Sequence, residues 1–302
     1  MTNKASWAAD ARADKWWQDQ EAQEVIDVVE GLVAGNSDPA LAARRVRALY
    51  EPLVKQTPVS VTVIWGIVFR AVRAIGQDES ASKRLRDFVL ALQLADEVLD
   101  QSGEQVKLNG QVVWRNLPGF SLSFREYCIS KSPFSKIQNR RLTPWKDIES
   151  RDECTGKWLD QAPSLLNAST FGALFLSGEP DPTRLSFFAS VALIDGLEVS
   201  YSQEQIQQAT MYIPPAATWI RLAGPSIHKL CVDRHDANAT CRFLEPGCTW
   251  EWAGGKGFSL ERWQFWKRKL AELAAEQSLD EHLRAIAQGA EASMDRTERA
   301  AT

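Results

Sequence analysis

Apolar side chains recur along most of this chain at steps of three and four, the spacing that places them on one face of an α-helix. The clearest run is 61–75, where Val61, Ile64, Trp65, Val68, Phe69, Val72 and Ile75 make a stripe and Arg70 and Arg73 fall opposite. It predicts a helix, opened by Ser60 and closed by Gly76. A second helix is expected over 82–101, with Leu85, Phe88, Leu92, Ala95 and Leu99 aligned. Earlier ones are expected over 13–34 and 39–54, the latter opened by Ser37 ahead of Pro39. Helices resume over 163–176, over 182–197 behind the Asp181-Pro182 start, over 203–212, and from Pro214-Pro215 through Trp219, Leu222, Ala223 and Ile227 to Leu230. Ser259 caps a further helix that carries Trp263, Trp266, Leu270 and Leu273 on one stripe, with Phe258 and Trp263 as a hydrophobic staple. Ser278 and Glu281 form a capping box for a last helix to 290, followed by a frayed tail from 293.

The period changes in one place. Val106 and Leu108 lead into Asn109-Gly110, and Val112, Val113 and Trp114 follow. Asn-Gly between short apolar runs is a strong hairpin signal, because both residues tolerate positive φ, so one β-hairpin is expected within 105–114. The stretch 120–144 reads as irregular apart from a turn near 124–128, and 232–256 as a long connection. The pattern therefore predicts an all-α, single-domain helical bundle over 1–292, of about nine to ten helices with one small hairpin.

Composition narrows the function classes. With hydrophobic residues at 44% and charged residues at 25%, the 302-residue chain has a globular balance. A net charge of −4 offers no basic excess for phosphates, so neither nucleic acid nor an anionic membrane is an expected partner. No run of 18 apolar residues occurs, and the N-terminal region lacks the apolar stretch of a secretory signal. Cytoplasm is the expected address. Five cysteines, an odd set, fit reduced thiols. The outlier is tryptophan, with 12 copies; such rings fill cores or line pockets, and core filling is the commoner use.

The stretch Trp250-Glu-Trp252-Ala-Gly-Gly-Lys-Gly-Phe258-Ser-Leu-Glu-Arg-Trp263-Gln-Phe-Trp266-Lys-Arg-Lys resembles the C-terminal signature of a group of filamentous-fungal proteins known only as a domain of unknown function. Trp114-Arg-Asn-Leu-Pro118 with Arg125-Glu126, Leu166-Asn-Ala-Ser-Thr-Phe-Gly-Ala-Leu174, Ala192-Leu-Ile-Asp-Gly-Leu-Glu198 and Ala217-Thr-Trp219-Ile-Arg-Leu-Ala-Gly224 are similar to its internal blocks, in the same order. The resemblance covers most of the chain. It implies a fungal, cytosolic, helical protein and carries over no catalytic residue.

Candidate chemistry is sparse. Asp96-Glu-Val-Leu-Asp100 has the acidic spacing with which class I terpene cyclases hold magnesium, an ion that prefers hard oxygen ligands. Asp96 borders the apolar stripe, but Asp100 lies farther round and the second metal motif is not evident. A solvated face is the commoner reading. His228, Cys231, His235, Cys241 and Cys248 crowd one region without the regular spacing of a zinc site. There is no nucleophile elbow, phosphate loop or dinucleotide fingerprint; Gly254-Gly-Lys-Gly257 is only superficially loop-like, with no strand expected before it. Asp195 is expected to share the inward face of Leu185, Phe188 and Ala192, where a carboxylate needs a partner; Arg125, Arg184 or Arg221 would supply it, and Glu198 joins the same face. Such a buried pair is more often architecture than catalysis.

Three function classes follow. The first is a cofactor-independent cyclase or isomerase acting by shape on an apolar small molecule, a secondary metabolite, with Asp195, Arg221 and Glu198 as catalytic groups and Trp65, Trp219, Trp263 and Arg125 lining the substrate. The second is a non-catalytic interaction or regulatory protein. The third is a magnesium-dependent prenyl-diphosphate cyclase using Asp96 and Asp100.

Overall fold

The computed structural model describes residues 6–75, 78–129, 162–179, 181–200, 206–237 and 249–301. The architecture is all-α, as the pattern predicts, and the chain divides into two compact units, Met1–Phe171 and Gly172–Thr302.

The first unit holds α1 (Ser6–Arg12), α2 (Gln20–Ala34), α3 (Pro39–Gln56), α4 (Val61–Ala74) and α5 (Glu79–Gln93). The hairpin β1 (Lys107–Leu108) and β2 (Gln111–Val112) follows, then α6 (Phe120–Phe124), which runs into a π-type turn at Arg125–Ile129. Helix α4 is central, packed by α1, α2 and α6, while α2 and α3 both lie against α5. Its stripe is buried as expected, and the Trp65 indole donates to the Pro118 carbonyl at 3.0 Å. Around Phe69 sit the rings of Phe120, Phe124 and Phe171, with centroids 5.0, 5.3 and 5.9 Å away. Asn109 and Gly110 take φ of 52° and 79°, the conformation that the Asn-Gly signal requires.

Several boundaries move for physical reasons. The expected helix over 13–34 begins only at Gln20, where the Asp19 carboxylate accepts the Ala22 amide and caps α2, while α1 lies wholly before it. Asp38 rather than Ser37 caps α3. Ser60 makes no cap bond to α4; its hydroxyl donates back to Thr57. Gly76 lies outside the described residues. Helix α5 is capped by Asp78 and stops at Gln93, well short of 101. There Asp100 accepts from the Ser102 amide and hydroxyl and from the Glu104 amide, a local turn that competes with helix. The Val106 amide then bonds the Val98 carbonyl. Residues 120–124, expected to be irregular, form a short helix.

The division between units falls inside α7 (Ala162–Gly178). The second unit continues with α8 (Ser186–Leu197), β3 (Val199–Ser200), α9 (Ile206–Val232), β4 (Thr249–Trp250), α10 (Leu260–Ala275) and α11 (Glu281–Ala301). Helix α11 lies along α9 and α10, and α8 lies on α9. The two helices expected over 203–230 are one, and its kink is at Ala223, φ −125°. Pro225 accounts for it, since a proline ring clashes with the carbonyl four residues back, here that of Arg221. Strands β3 and β4 pair antiparallel, Val199 with Trp250 and Ser200 with Thr249, and β4 falls inside the 232–256 stretch expected to be pure connection. Helix α8 starts at Ser186 rather than 182, because Asp181 spends its carboxylate on the Thr183 amide and hydroxyl. Asp280 caps α11, not Ser278, which bonds Glu276. The expected frayed tail is the end of α11, with Ser293, Met294 and Thr297 buried. Among the described residues, no helix is long and apolar enough to cross a membrane.

Candidate functional site

The most completely built polar centre lies in the second unit, around Glu198. Helix α8 ends at Leu197, so Glu198 is the first residue past it, and its side chain is 0% exposed. Helix α10 supplies the counter-charge. Ser259 caps it by accepting the Arg262 amide at 3.1 Å, which fixes the first turn and points Arg262 inward, at 1% exposure. The guanidinium meets the carboxylate as a fork, Nε to Oε1 at 2.6 Å and Nη2 to Oε2 at 2.8 Å. One turn on, the Trp266 indole donates to Oε1 at 2.7 Å. The remaining Nη1 donates to the Gly257 carbonyl at 2.7 Å. Rings enclose the pair: Trp252 and Trp266 lie 5.8 and 5.6 Å from the guanidinium carbon, and Phe258 packs edge-on to Trp266.

Three donors, two from Arg262 and one from Trp266, converge on one carboxylate. Both Glu198 carboxylate oxygens are taken up by these donors. Chemically the arrangement is a clasp between the end of α8 and the start of α10.

A second charged group ties α10 to α11. Glu298 accepts from the Trp263 indole at 2.8 Å, the Gln264 amide at 2.8 Å and Lys267 at 2.6 Å, and Lys267 also meets Asp295 at 2.6 Å. Burial raises the Glu298 pKa, but these bonds outweigh it and hold the carboxyl below its ordinary 4.5. A depressed pKa contributes stability that is present above 4.5 and lost as pH falls through the folded value. Thermal melts should therefore show this unit weakening as pH drops below that point, and Glu298→Gln should flatten the acid limb; an unchanged limb would show the cluster to be idle.

The residues singled out from sequence are divided between the two units. Trp65, Asp96, Asp100 and Arg125 belong to the first, and Asp195, Glu198, Trp219, Arg221 and Trp263 to the second. Trp65, Trp219 and Trp263 are closed into core. Asp195 is half-buried rather than fully inward, and Arg221 is exposed. Of the arginines proposed for Asp195, Arg184 meets Glu179 at 2.6 Å and Arg125 lies near its neighbour Glu126. Glu198 is buried as expected; its Arg262 partner was not among those considered. Asp96 is 96% exposed near Arg47, and Asp100 is bound up in its own turn. Neither sits on a helix, so the helical spacing behind the magnesium reading is absent. Hydrogen bonds from Ser102 and Glu104 hold the Asp100 carboxyl below its usual range.

His228 packs edge-on to Trp263 and His235 Nε2 lies 3.0 Å from the Ser186 hydroxyl. Cys231 is a buried, free thiol. Cys241 and Cys248 lie outside the described residues, and among the described residues no group of three or more His, Cys, Asp or Glu is placed to hold a metal. The glycine-rich 254–257 does follow a strand, the two residues of β4, but the Gly257 carbonyl is turned onto Arg262.

The profile of a family described as a protein of unknown function, DUF3632, matches residues 65–270. The chain belongs to the DUF3632 family. No curated protein and no solved structure matches it. The DUF3632 match takes in the whole Glu198 clasp, so the aromatic segment 250–266 finds a physical role there: Trp252, Gly257, Phe258, Ser259, Arg262 and Trp266 each touch the ion pair or hold a residue that does.

Ahead of the DUF3632 match lies a feature that sequence reasoning missed. Trp16 is 75% exposed on a turn that is firmly scaffolded. The Asp14 carboxylate accepts the Trp16 amide at 3.1 Å and Arg70 at 2.7 Å. The Trp17 amide bonds the Asp14 carbonyl, and the Gln18 side chain bonds the carbonyls of Arg12 and Asp14 at 2.9 and 2.6 Å. Trp17 is buried beside Arg70 and Tyr127. Lys15 stands 5.1 Å over the Trp16 ring. The doublet Trp16-Trp17 preceded by Asp14, a residue that favours turns, was the available signal.

Proposed function

We propose that this DUF3632 protein is a non-catalytic interaction protein that docks a protein partner through the Trp16 turn, and that it works in the cytoplasm of a fungal cell, as its resemblance to fungal relatives implies. The observation that carries the reading is the exposed indole on an ordered turn. Exposed tryptophan is unusual, and tryptophan is among the residues most enriched at binding hot spots. A turn already fixed by Asp14, Gln18 and Arg70 loses little entropy on docking. The expected occupant is a protein with an apolar socket for the ring and a carboxylate facing Lys15.

The reading of a cyclase or isomerase acting on an apolar small molecule draws less support, since its expected lining indoles are core and Glu198 is committed to Arg262. Photo-crosslinking from position 16 in cells, followed by binding of the purified captured protein, is the test. The expected result is a protein partner whose affinity drops ~30-fold or more with Trp16→Ala, the equivalent of about 2 kcal/mol at a hot spot, and falls further with Lys15→Glu. Crosslinking only to a second copy of the chain, flotation with anionic vesicles, or undiminished binding by Trp16→Ala would each overturn it.

A further inference from the structure

Residues 249–259 cross the Glu198–Arg262 pair from outside and are held at both ends, by the β3–β4 pairing at one and by the buried Phe258 ring at the other. The Glu251 amide donates to the Glu198 carbonyl at 2.9 Å and the Phe258 amide to the His235 carbonyl at 2.8 Å. Lys269 grips both Glu251 carboxylate oxygens at 2.8 and 2.7 Å. Arg262 holds the Gly257 carbonyl from beneath, and Trp252 lies over its guanidinium and against Phe265. Between these ties Ala253, Gly254, Gly255 and Lys256 are exposed, and a Cβ at Gly255 would meet nothing within 4 Å. The segment is therefore fastened at its ends by hydrogen bonds, charge, strand pairing and the one buried ring of Phe258, with its middle, 253–256, exposed. Such regions sit at the low end of a protein's range of opening free energies.

At Gly257 the fastening is specific to glycine. Its φ is +78°, and a Cβ there would come within 2.9 Å of the His235 carbonyl oxygen, so the turn brings the backbone onto His235 and delivers the carbonyl to Arg262. One side chain thus holds two things at once, the carboxylate of Glu198 and the carbonyl of the segment above it.

We infer that residues 249–259 form a cover that opens as one unit while α8, α9 and α11 stay folded, with the Arg262 side chain as its pin. Opening breaks the Glu251, Gly257 and Phe258 bonds together, because all three converge on the clasp or on the backbone beside it. It uncovers His235 and Cys231, whose sulfur accepts the Ser259 amide in the closed form. Closed, the Cys231 thiol is pushed up by burial to about 12; open, it returns to an ordinary thiol near ~8.5. Cys231 is thereby a built-in reporter, and Cys128, buried in the other unit, is its control.

Hydrogen exchange resolved by residue, together with iodoacetamide labelling read by mass spectrometry, tests this on the full chain. In the unaltered protein the Glu251 and Phe258 amides should share one opening constant, larger than that of amides inside α8 and α11, and Cys231 should alkylate with the same constant. Arg262→Lys keeps the charge but loses the fork; it should raise all three rates by at least ~10-fold, as expected for one lost charge-assisted bond, with Cys128 unchanged. Lys269→Ala, at the rim, should raise the same three rates by less, and it decides the matter if Arg262→Lys does not fold. Unrelated rates for Glu251 and Phe258, or opening only at the rate of α8 and α11, would overturn the inference.

Discussion

Glu198→Ala costs the 172–302 unit about 3–5 kcal/mol, because it leaves the Arg262 guanidinium charged, buried and without its carboxylate. The magnitude follows from the geometry. An exposed ion pair is worth about 0–1 kcal/mol, since water solvates either partner left alone. Here the side chains of Arg262 and Glu198 are 2% and 0% exposed, and water cannot take over. Arg262→Met should cost a similar amount for the mirrored reason, with Trp266 also left facing an uncompensated carboxylate. The pair itself contributes much less than either single loss implies, because both ions were desolvated to form it. The double variant Glu198→Leu with Arg262→Met should therefore recover most of the loss. Urea unfolding followed by exchange of amides in α8 and α10 assigns the effect to this unit. Single variants that lose under about 1 kcal/mol would mean that the clasp is solvated after all.

Gly196→Ala should destabilise the same unit by about 1–3 kcal/mol, although alanine is the better helix former by about 1 kcal/mol. Gly196 lies on α8 where that helix crosses α9. A Cβ there would stand 2.6 Å from the Ala216 Cβ and 2.7 Å from the Tyr212 carbonyl oxygen. Neither neighbour is the end of a flexible chain, so the helices must separate, and the surrounding core loses contact along the whole crossing. The steric term wins over propensity. Equal or higher stability of the variant in thermal melts would show that the α8–α9 crossing gives way easily.

Much of the architecture was legible from local pattern. The α4 stripe, the Asn109-Gly110 hairpin and the Ser259 cap each rest on residues within a few positions of one another. What was misread locally was competition: carboxylates at Asp19 and Asp181 each bind a nearby backbone amide, and these bonds set where a helix starts, as Asp100 sets a turn in a stretch expected to be helix. Periodicity carries no trace of that choice, since the apolar stripe continues through it.

The candidate residues divide in the same way. Glu198 was visible as an acid on an apolar helix face, yet its partner lies 64 residues on, on another helix where Arg262, four residues before Trp266, shares the apolar stripe without naming what it meets. Periodicity marks Arg262 as inward; only the packing of α10 against the end of α8 decides that the group it meets there is Glu198.

By itself, then, the sequence determined that the chain is helical, where most helices run, that one Asn-Gly hairpin interrupts them, and which family the chain belongs to. Only the tertiary structure decided that there are two compact units, that β3 meets β4, that Glu198 is neutralised by Arg262, and that of Trp16 and Trp17 the first faces outward. The physical reason is range: helices and tight turns are set by interactions a few residues apart, which leave a period in the chain. Pairing across tens of residues is set by which surfaces meet, and that leaves none.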